Sequence, residues 1–283
     1  EPIEGMKEPF RYRNKAQYPV GLSRDGRIVA GFYASHSHNI VECRDCLLSP
    51  SEFAAIVDTV IGFMEENSIQ PYDEGTSSGI IRHILIRKAF ATGQIMVCLV
   101  INAKELPHKE RLIEALVGIG VNVSSIVVNI NTENTNVIMG KKVTVIQGLP
   151  YITDYIGSLQ YRISPLSFYQ VNPVQTEELY STVLKFAQPG PDDIVWDLYC
   201  GIGTISLYLA RYAGKVRGIE IVPDAIEDAR ENAKMNGICN AEFFCGAAEE
   251  VLPRLLRQDL IRNSAIGDQI NHDKASSIVV VDP

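Results

Sequence analysis

From Phe10 to Tyr33 polar and apolar positions alternate around SRDG at 23–26, the period-two pattern of a hairpin or meander. The period then lengthens. Phe53, Ile56, Val57, Val60, Ile61 and Met64 recur at helical spacing, which predicts a helix over 50–67 with Ser49 as cap and Pro50 in its first turn. Residues 80–90 and 94–101 are two apolar strands joined by ATG. A helix over 107–118 and the strands VSSIVVNIN and KKVTVIQG follow, and the turn-rich LPYITDYIGSLQ closes this part. Beyond it, apolar runs and helical stretches alternate. The pattern predicts a helix from Pro173 to Ala187 capped by Asn172, then the strand IVWDL, the helix TISLYLAR, the strand VRGIE and a helix from Pro223 to Asn236 stopped by Gly237. The strand AEFFC, a helix in GAAEEVLPRLL, a polar surface insertion over 258–276 and the strand SIVVV complete the chain.

Strand, helix, strand in steady alternation predicts a parallel Rossmann-like sheet over 166–283. The mixed pattern before it predicts an α/β unit with an antiparallel sheet over 1–165. Two domains suit 283 residues.

The most informative stretch is DLYCGIGT. Gly201 and Gly203 form a turn between strand and helix, which aims backbone amides at a nucleotide-like ligand. Ser206 stands where a dinucleotide fingerprint has its third glycine. Glu220 ends the next strand, about 20 residues past the glycines, where a carboxylate accepts hydrogen bonds from ribose hydroxyls. Asp197, the G-x-G turn and Glu220 together fit S-adenosylmethionine better than a dinucleotide.

Charge adds a constraint. The net charge is −8, with −7 of it in residues 166–283 and −1 in residues 1–165. An RNA partner would therefore meet mainly the first domain. Its candidate contacts are a stripe of Arg11, Arg13 and Lys15 on one strand face, and a second cluster of Arg82, His83, Arg87 and Lys88. A solvated strand face explains the stripe equally well. Cys43 and Cys46 form a C-x-x-C near His36 and His38, which reads either as part of a metal site or as two structural thiols. Six cysteines in 283 residues make no disulfide framework, and no apolar run has the length of a membrane span. The expectation is a cytoplasmic monomer. The chain opens in EPIEG without methionine and stops just after a strand, so it is expected to be a piece of a longer protein.

RYRNKAQYPV, SFYQVNP, DLYCGIGTISLYLA, GIEIVPDAIEDARENAKMNGI, GAAEE and VVVDP, in this order, resemble the RNA (uracil-5-)-methyltransferases, the S-adenosylmethionine enzymes that make 5-methyluridine. The resemblance implies a class I methyltransferase domain. It implies that Gln170, Tyr199, Gly201, Thr204, Glu220 and Asp282 contact the cofactor, although Thr204 stands where many members have asparagine. It further implies a cysteine nucleophile and a glutamate base beyond residue 283, ribosomal RNA as substrate with transfer RNA as the alternative, and Cys46 as one ligand of a 4Fe–4S cluster whose other ligands precede Glu1. A noncatalytic RNA-binding module that keeps the fold is the competing expectation.

Overall fold

The computed structural model describes residues 3–135, 137–266 and 276–282, with backbone alone for 260–266. The chain divides into two compact units, Glu1–Asp154 with Ser164–Leu166 and Val171–Val174, and Tyr155–Ile163 with Ser167–Gln170 and Gln175–Pro283. The division is thus interleaved over 155–174 and does not fall at one position near 165.

The first unit runs β1 (Lys15–Leu22), β2 (Ile28–Tyr33), β3 (Ile40–Glu42), α1 (Glu52–Glu66), β4 (Ile81–Lys88), β5 (Ile95–Ile101), α2 (Lys109–Gly118), β6 (Val123–Ile130) and β7 (Lys142–Gly148). Seven strands form one sheet in the order β3-β2-β1-β4-β5-β6-β7. Every neighbouring pair is antiparallel except β5 and β6, which are parallel because α2 carries the chain across between them. One sheet face buries Tyr18, Ile84, Ile86, Val97, Leu99, Ile126 and Val128 in a common core with Phe53, Ile56, Val60 and Met64 of α1 and Leu112 and Leu116 of α2. The apolar spacing read from the sequence is thus the buried face of α1. Its N-cap is Ser51, not Ser49, which is buried ahead of the helix.

The expected basic surface is largely internal. Arg82, His83 and Arg87 are buried because the central strand β4 is covered on both faces. Arg82 donates to the carbonyls of Asn131 and Glu133 at 3.0 and 2.9 Å and lies over the Tyr72 ring. Arg87 donates to the Pro165 carbonyl at 3.3 Å, and Lys88 pairs with Glu52 at 2.5 Å. Burial lowers Arg87 to about 10 and His83 to about 4, so His83 is neutral at neutral pH. The stripe also dissolves. β1 begins only at Lys15, and Arg11, at φ 56°, turns to grip Asp45 with both guanidinium nitrogens.

β8 (Ile152–Ile156) and β9 (Leu159–Ile163) form a two-stranded sheet. The second unit then runs α3 (Pro173–Ala187), β10 (Ile194–Leu198), α4 (Thr204–Leu209), β11 (Lys215–Glu220), α5 (Pro223–Met235), β12 (Ala241–Cys245), α6 (Ala248–Ile266) and β13 (Ser277–Val281). Four parallel strands stand in the order β12-β11-β10-β13. α6 reaches Ile266, so 258–266 is helix rather than loop, and 267–275 lies outside the described residues. Strand alternation sends Trp196 to one face, among Ile219, Ala248, Val251 and Leu255, and Asp197 to the other. Arg217 covers the Trp196 ring at 4.9 Å and pairs with Asp259.

Gly218 shows how tightly this sheet is closed. A Cβ there would lie 2.6 Å from the Phe243 ring and 2.8 Å from the Cys200 sulfur. Gly62, inside α1, has nothing within 4 Å of the same position. Gly218→Ala is therefore expected to lose about 1–3 kcal/mol to overpacking, and Gly62→Ala to gain about 0.5–1 kcal/mol from helix propensity, both measured by urea unfolding. Equal effects of the two substitutions would contradict this packing.

Candidate functional site

The order β12-β11-β10-β13 reverses direction at β10: the chain steps outward to β11 and β12, then returns to the other side of β10. Ligands of open α/β sheets lie outside the carboxyl ends of the strands at such a point. Three carboxylates stand there. Asp197 is the penultimate residue of β10, Glu220 the last of β11, and Asp282 follows β13.

The loop from β10 to α4 makes the floor. Tyr199, Gly201 and Gly203 all have left-handed φ, at 66°, 54° and 80°. A Cβ on Gly201 would meet open space, so glycine serves the turn and leaves its amide approachable. A Cβ on Gly203 would come within 3.0 Å of the Phe243 ring and 3.2 Å of Ala229, so glycine lets the loop close onto α5 and β12. Tyr199 holds the same conformation with a side chain, a strain of the kind found at binding sites. Its hydroxyl donates to Glu249 at 2.8 Å.

Glu220 is fixed by two backbone amides. It accepts from Gly201 at 3.2 Å and from Val222 at 2.9 Å. Ile221 and Val222, beside it, are exposed and offer an apolar surface. Gln170 donates to Asp282 at 3.1 Å. Gln170, Asp197, Tyr199, Gly201, Thr204 and Asp282 line one cavity of about 30 Å³. That is room for about one water, so a nucleoside would occupy the open surface beside Glu220, Ile221 and Val222.

Asp197 is 1% exposed and accepts from the Ser206 hydroxyl at 2.5 Å. Burial, together with the charges of Asp282 and Glu220, pushes its carboxyl up to about 7 against the pull of the Ser206 hydrogen bonds. Thr204 is held from behind, its hydroxyl accepting from Tyr180 at 2.6 Å and its carbonyl from Tyr161 at 3.1 Å. Cys200 lies buried under the loop, and burial beside Asp197 and Glu220 raises its thiol far above the ordinary range, which disqualifies it as a nucleophile.

Five of the six cofactor residues read from the sequence thus line one cavity, and the sixth, Glu220, is tied to its glycine loop. Ser206, Tyr180 and Glu249 were missed. Ser206 had a signal, since one turn into α4 its side chain faces back toward the end of β10. Cys46 lies in the first unit with Cys43, where Arg11 donates to its carbonyl at 2.9 Å. His38 pairs with Glu74. Among the described residues no group of three His, Cys, Asp or Glu side chains is arranged to hold a metal, so Cys43 and Cys46 are not joined by His36 and His38 in a zinc site. A roomier cleft of about 880 Å³ lies elsewhere, between α5 and α6 at β12. Its Lys215 and Arg217 are paired with Glu242 and Asp259.

The residues at the switch point fit S-adenosylmethionine: gathered carboxylates favour a cation, and Glu220 offers acceptors to ribose hydroxyls. The charge has a cost in the free protein. An unfolded aspartate ionises near 3.9 and Asp197 near 7, so the folded state binds the extra proton between them. Stability from the protonated carboxyl is complete below about 4 and is lost as pH rises to about 7. In urea unfolding from pH 4 to 8, Asp197→Asn is expected to flatten this decline. Parallel profiles for wild type and variant would contradict the raised carboxyl.

The family described as a methyltransferase domain matches residues 190–279. A protein of Clostridium tetani named an uncharacterized RNA methyltransferase is 42% identical over 283 residues, 100% of this chain and 58% of that protein. One of Halalkalibacterium halodurans with the same description is 48% identical over 252 residues, covering 89% and 55%. The chain therefore spans a little over half the length of the curated relatives it matches. In fold it is similar to the Pyrococcus abyssi tRNA (uracil-54, C5)-methyltransferase in complex with S-adenosyl-L-homocysteine, with a TM-score of 0.72 and 24% identity over 86% of this chain and 57% of that one. Along nearly its whole sequence the chain is similar to proteins named RNA methyltransferases, and the stretch that matches a methyltransferase domain lies in the second unit.

Proposed function

We propose that the protein methylates carbon 5 of a uridine in RNA with S-adenosylmethionine as methyl donor. The observation that carries this is the set of Gln170, Tyr199, Gly201, Glu220 and Asp282 around one glycine loop at the switch point of a parallel sheet. Glu220 takes the ribose hydroxyls on the oxygens that its two amide contacts hold in place. Gln170 and Asp282 receive the amino-acid end, and Tyr199 flanks it. The cofactor, when bound, supplies a methyl group on a sulfonium.

Carbon 5 of uracil is a weak nucleophile by itself. In this mechanism a cysteine thiolate adds to carbon 6, the displaced electron pair lets carbon 5 take the methyl group, and a general base removes the carbon 5 proton before the thiolate leaves. We assign the nucleophile to none of the cysteines in these 283 residues. Cys98 and Cys200 are buried with raised thiols, Cys43 and Cys46 belong to the first unit, and the thiols of Cys239 and Cys245 donate to the carbonyls of Gly237 and Ile221 as structural groups. The target base must leave its stack to be reached.

Ribosomal RNA is the proposed substrate, with the domain over 1–165 as the RNA-contacting part of a cytoplasmic monomer. Because Arg82, His83 and Arg87 are internal, that contact falls to exposed cations such as Arg13, Lys141 and Lys142. Transfer RNA is the second reading, favoured by the fold likeness to a tRNA enzyme. Among the described residues no helix is long and apolar enough to cross a membrane.

Two outcomes are expected. By calorimetry Glu220→Ala binds S-adenosylmethionine about tenfold or more weakly, the scale of lost hydrogen bonds to a charged group. Carried in a protein of the relatives' full length, these residues place methyl label in 5-methyluridine of unmodified ribosomal RNA, read by nucleoside digestion. Label in transfer RNA alone would select the second reading, and label in another nucleoside would overturn the chemistry.

A further inference from the structure

The proposed cofactor and its demethylated product differ in charge where the site is most acidic. S-adenosylmethionine carries a sulfonium besides its ammonium and carboxylate, a net of about +1. S-adenosylhomocysteine, with a neutral sulfur, has a net of about zero at neutral pH. A site that must take up the first and let go of the second benefits from a group that registers this one charge.

We propose that Asp197 is that group: it holds a proton when no cation occupies the site and releases it when the sulfonium form of the cofactor binds, so that the site discriminates donor from product by proton exchange. This rests on the cofactor reading above and adds a specificity-determining residue to it.

The geometry places Asp197 for this part. It is 1% exposed yet lines the small cavity together with Gln170 and Asp282. The groups that face it are Asp282 beyond β13, Glu220 at the end of β11, Ser206 on α4, Tyr180 on α3 and Cys200 in the loop. The two that carry charge are both negative. Burial is the main reason this carboxyl keeps its proton, with the charges of Asp282 and Glu220 adding to it, and the attraction of an arriving cation opposes both. Ser206 has the opposite effect, because its hydroxyl at 2.5 Å stabilises the ionised form and keeps the proton exchangeable near neutral pH. The exchange balances simply: the carboxyl O–H bond breaks, the electron pair stays on the oxygen, and the proton passes to solvent buffer. Donor affinity is then coupled to pH. Below the point where Asp197 ionises in the free protein, each unit of pH weakens S-adenosylmethionine binding by up to about tenfold, and product binding changes less.

Isothermal titration of the 283-residue chain with S-adenosylmethionine and with S-adenosylhomocysteine, at pH 6 and 7.5 in two buffers of different ionisation enthalpy, measures the protons exchanged. The expected result at pH 6 is a release approaching one proton for the donor and a smaller release for the product. Asp197→Asn is expected to abolish the difference between the two ligands. Ser206→Ala, which keeps the carboxyl but removes a donor to it, is expected to carry proton release to higher pH. The ligands' own ammonium titration is common to wild type and variants, so the differences isolate Asp197. Heats that do not depend on buffer for wild type at pH 6, with the donor bound, would overturn the proposal. So would proton release unchanged in both variants. Failure of either ligand to bind wild type at any pH would overturn the cofactor reading, and this inference with it.

Discussion

Like charges gathered at the ends of neighbouring parallel strands repel one another, and the second unit is built around tolerating that repulsion. Asp197, Glu220 and Asp282 come from β10, β11 and β13, which hydrogen bonding sets side by side. Each carboxylate is given a fixed donor: Ser206 for Asp197, the amides of Gly201 and Val222 for Glu220, Gln170 for Asp282. Hydrogen bonds to charged groups are worth about 1.5–3 kcal/mol each, enough to hold the side chains in place but not to neutralise the site. What remains is an unsatisfied preference for a cation. The glycine loop keeps that preference open to a ligand, because Gly201 leaves the space over the turn clear while Gly203 and Gly218 let Phe243 and Cys200 pack close behind.

The first unit treats positive charge in the opposite way. Its central strand β4 is buried on both faces, and the cations there are absorbed into the scaffold. Arg82 ties the Asn131–Glu133 turn to the sheet, and Lys88 fastens α1 through Glu52. Arg11 holds the 45–49 turn through Asp45 and the carbonyls of Cys46 and Ser49. A long side chain with several donors suits this bracing role, since it can satisfy carbonyls that no strand reaches.

These two units explain what could be read from the residues and what could not. Elements with strong period were readable: the apolar face of α1, the β4–β5 hairpin, and the alternation from β10 to β13. So was the placement of Asp197 and Glu220, since position along the chain puts them at the carboxyl ends of β10 and β11 whatever surrounds them. Covering of a strand by distant chain was not readable. Arg82 and Arg87 read as exposed because nothing local in IRHILIRK shows that both faces are covered. The parallel β5–β6 pair was hidden for a similar reason, as strand pattern records burial but not direction. Ser206 was seen only as a missing glycine. Its role is a contact across the turn between strand and helix, visible once α4 is folded back over Asp197. The end of α6 was lost because 258–266 mixes a few apolar residues, Leu260, Ile261, Ala265 and Ile266, into a polar run that continues as DQINHDK, so no regular period stands out.

The most direct test of the account is a crystal structure of the chain with S-adenosylhomocysteine. The expected density places the ribose hydroxyls on the Glu220 carboxylate and the amino-acid end between Gln170 and Asp282, over the Gly201 turn. Density for the nucleoside in the cleft between α5 and α6 instead, against Arg230 and Phe243, would contradict the central claim that the gathered carboxylates are the cofactor site.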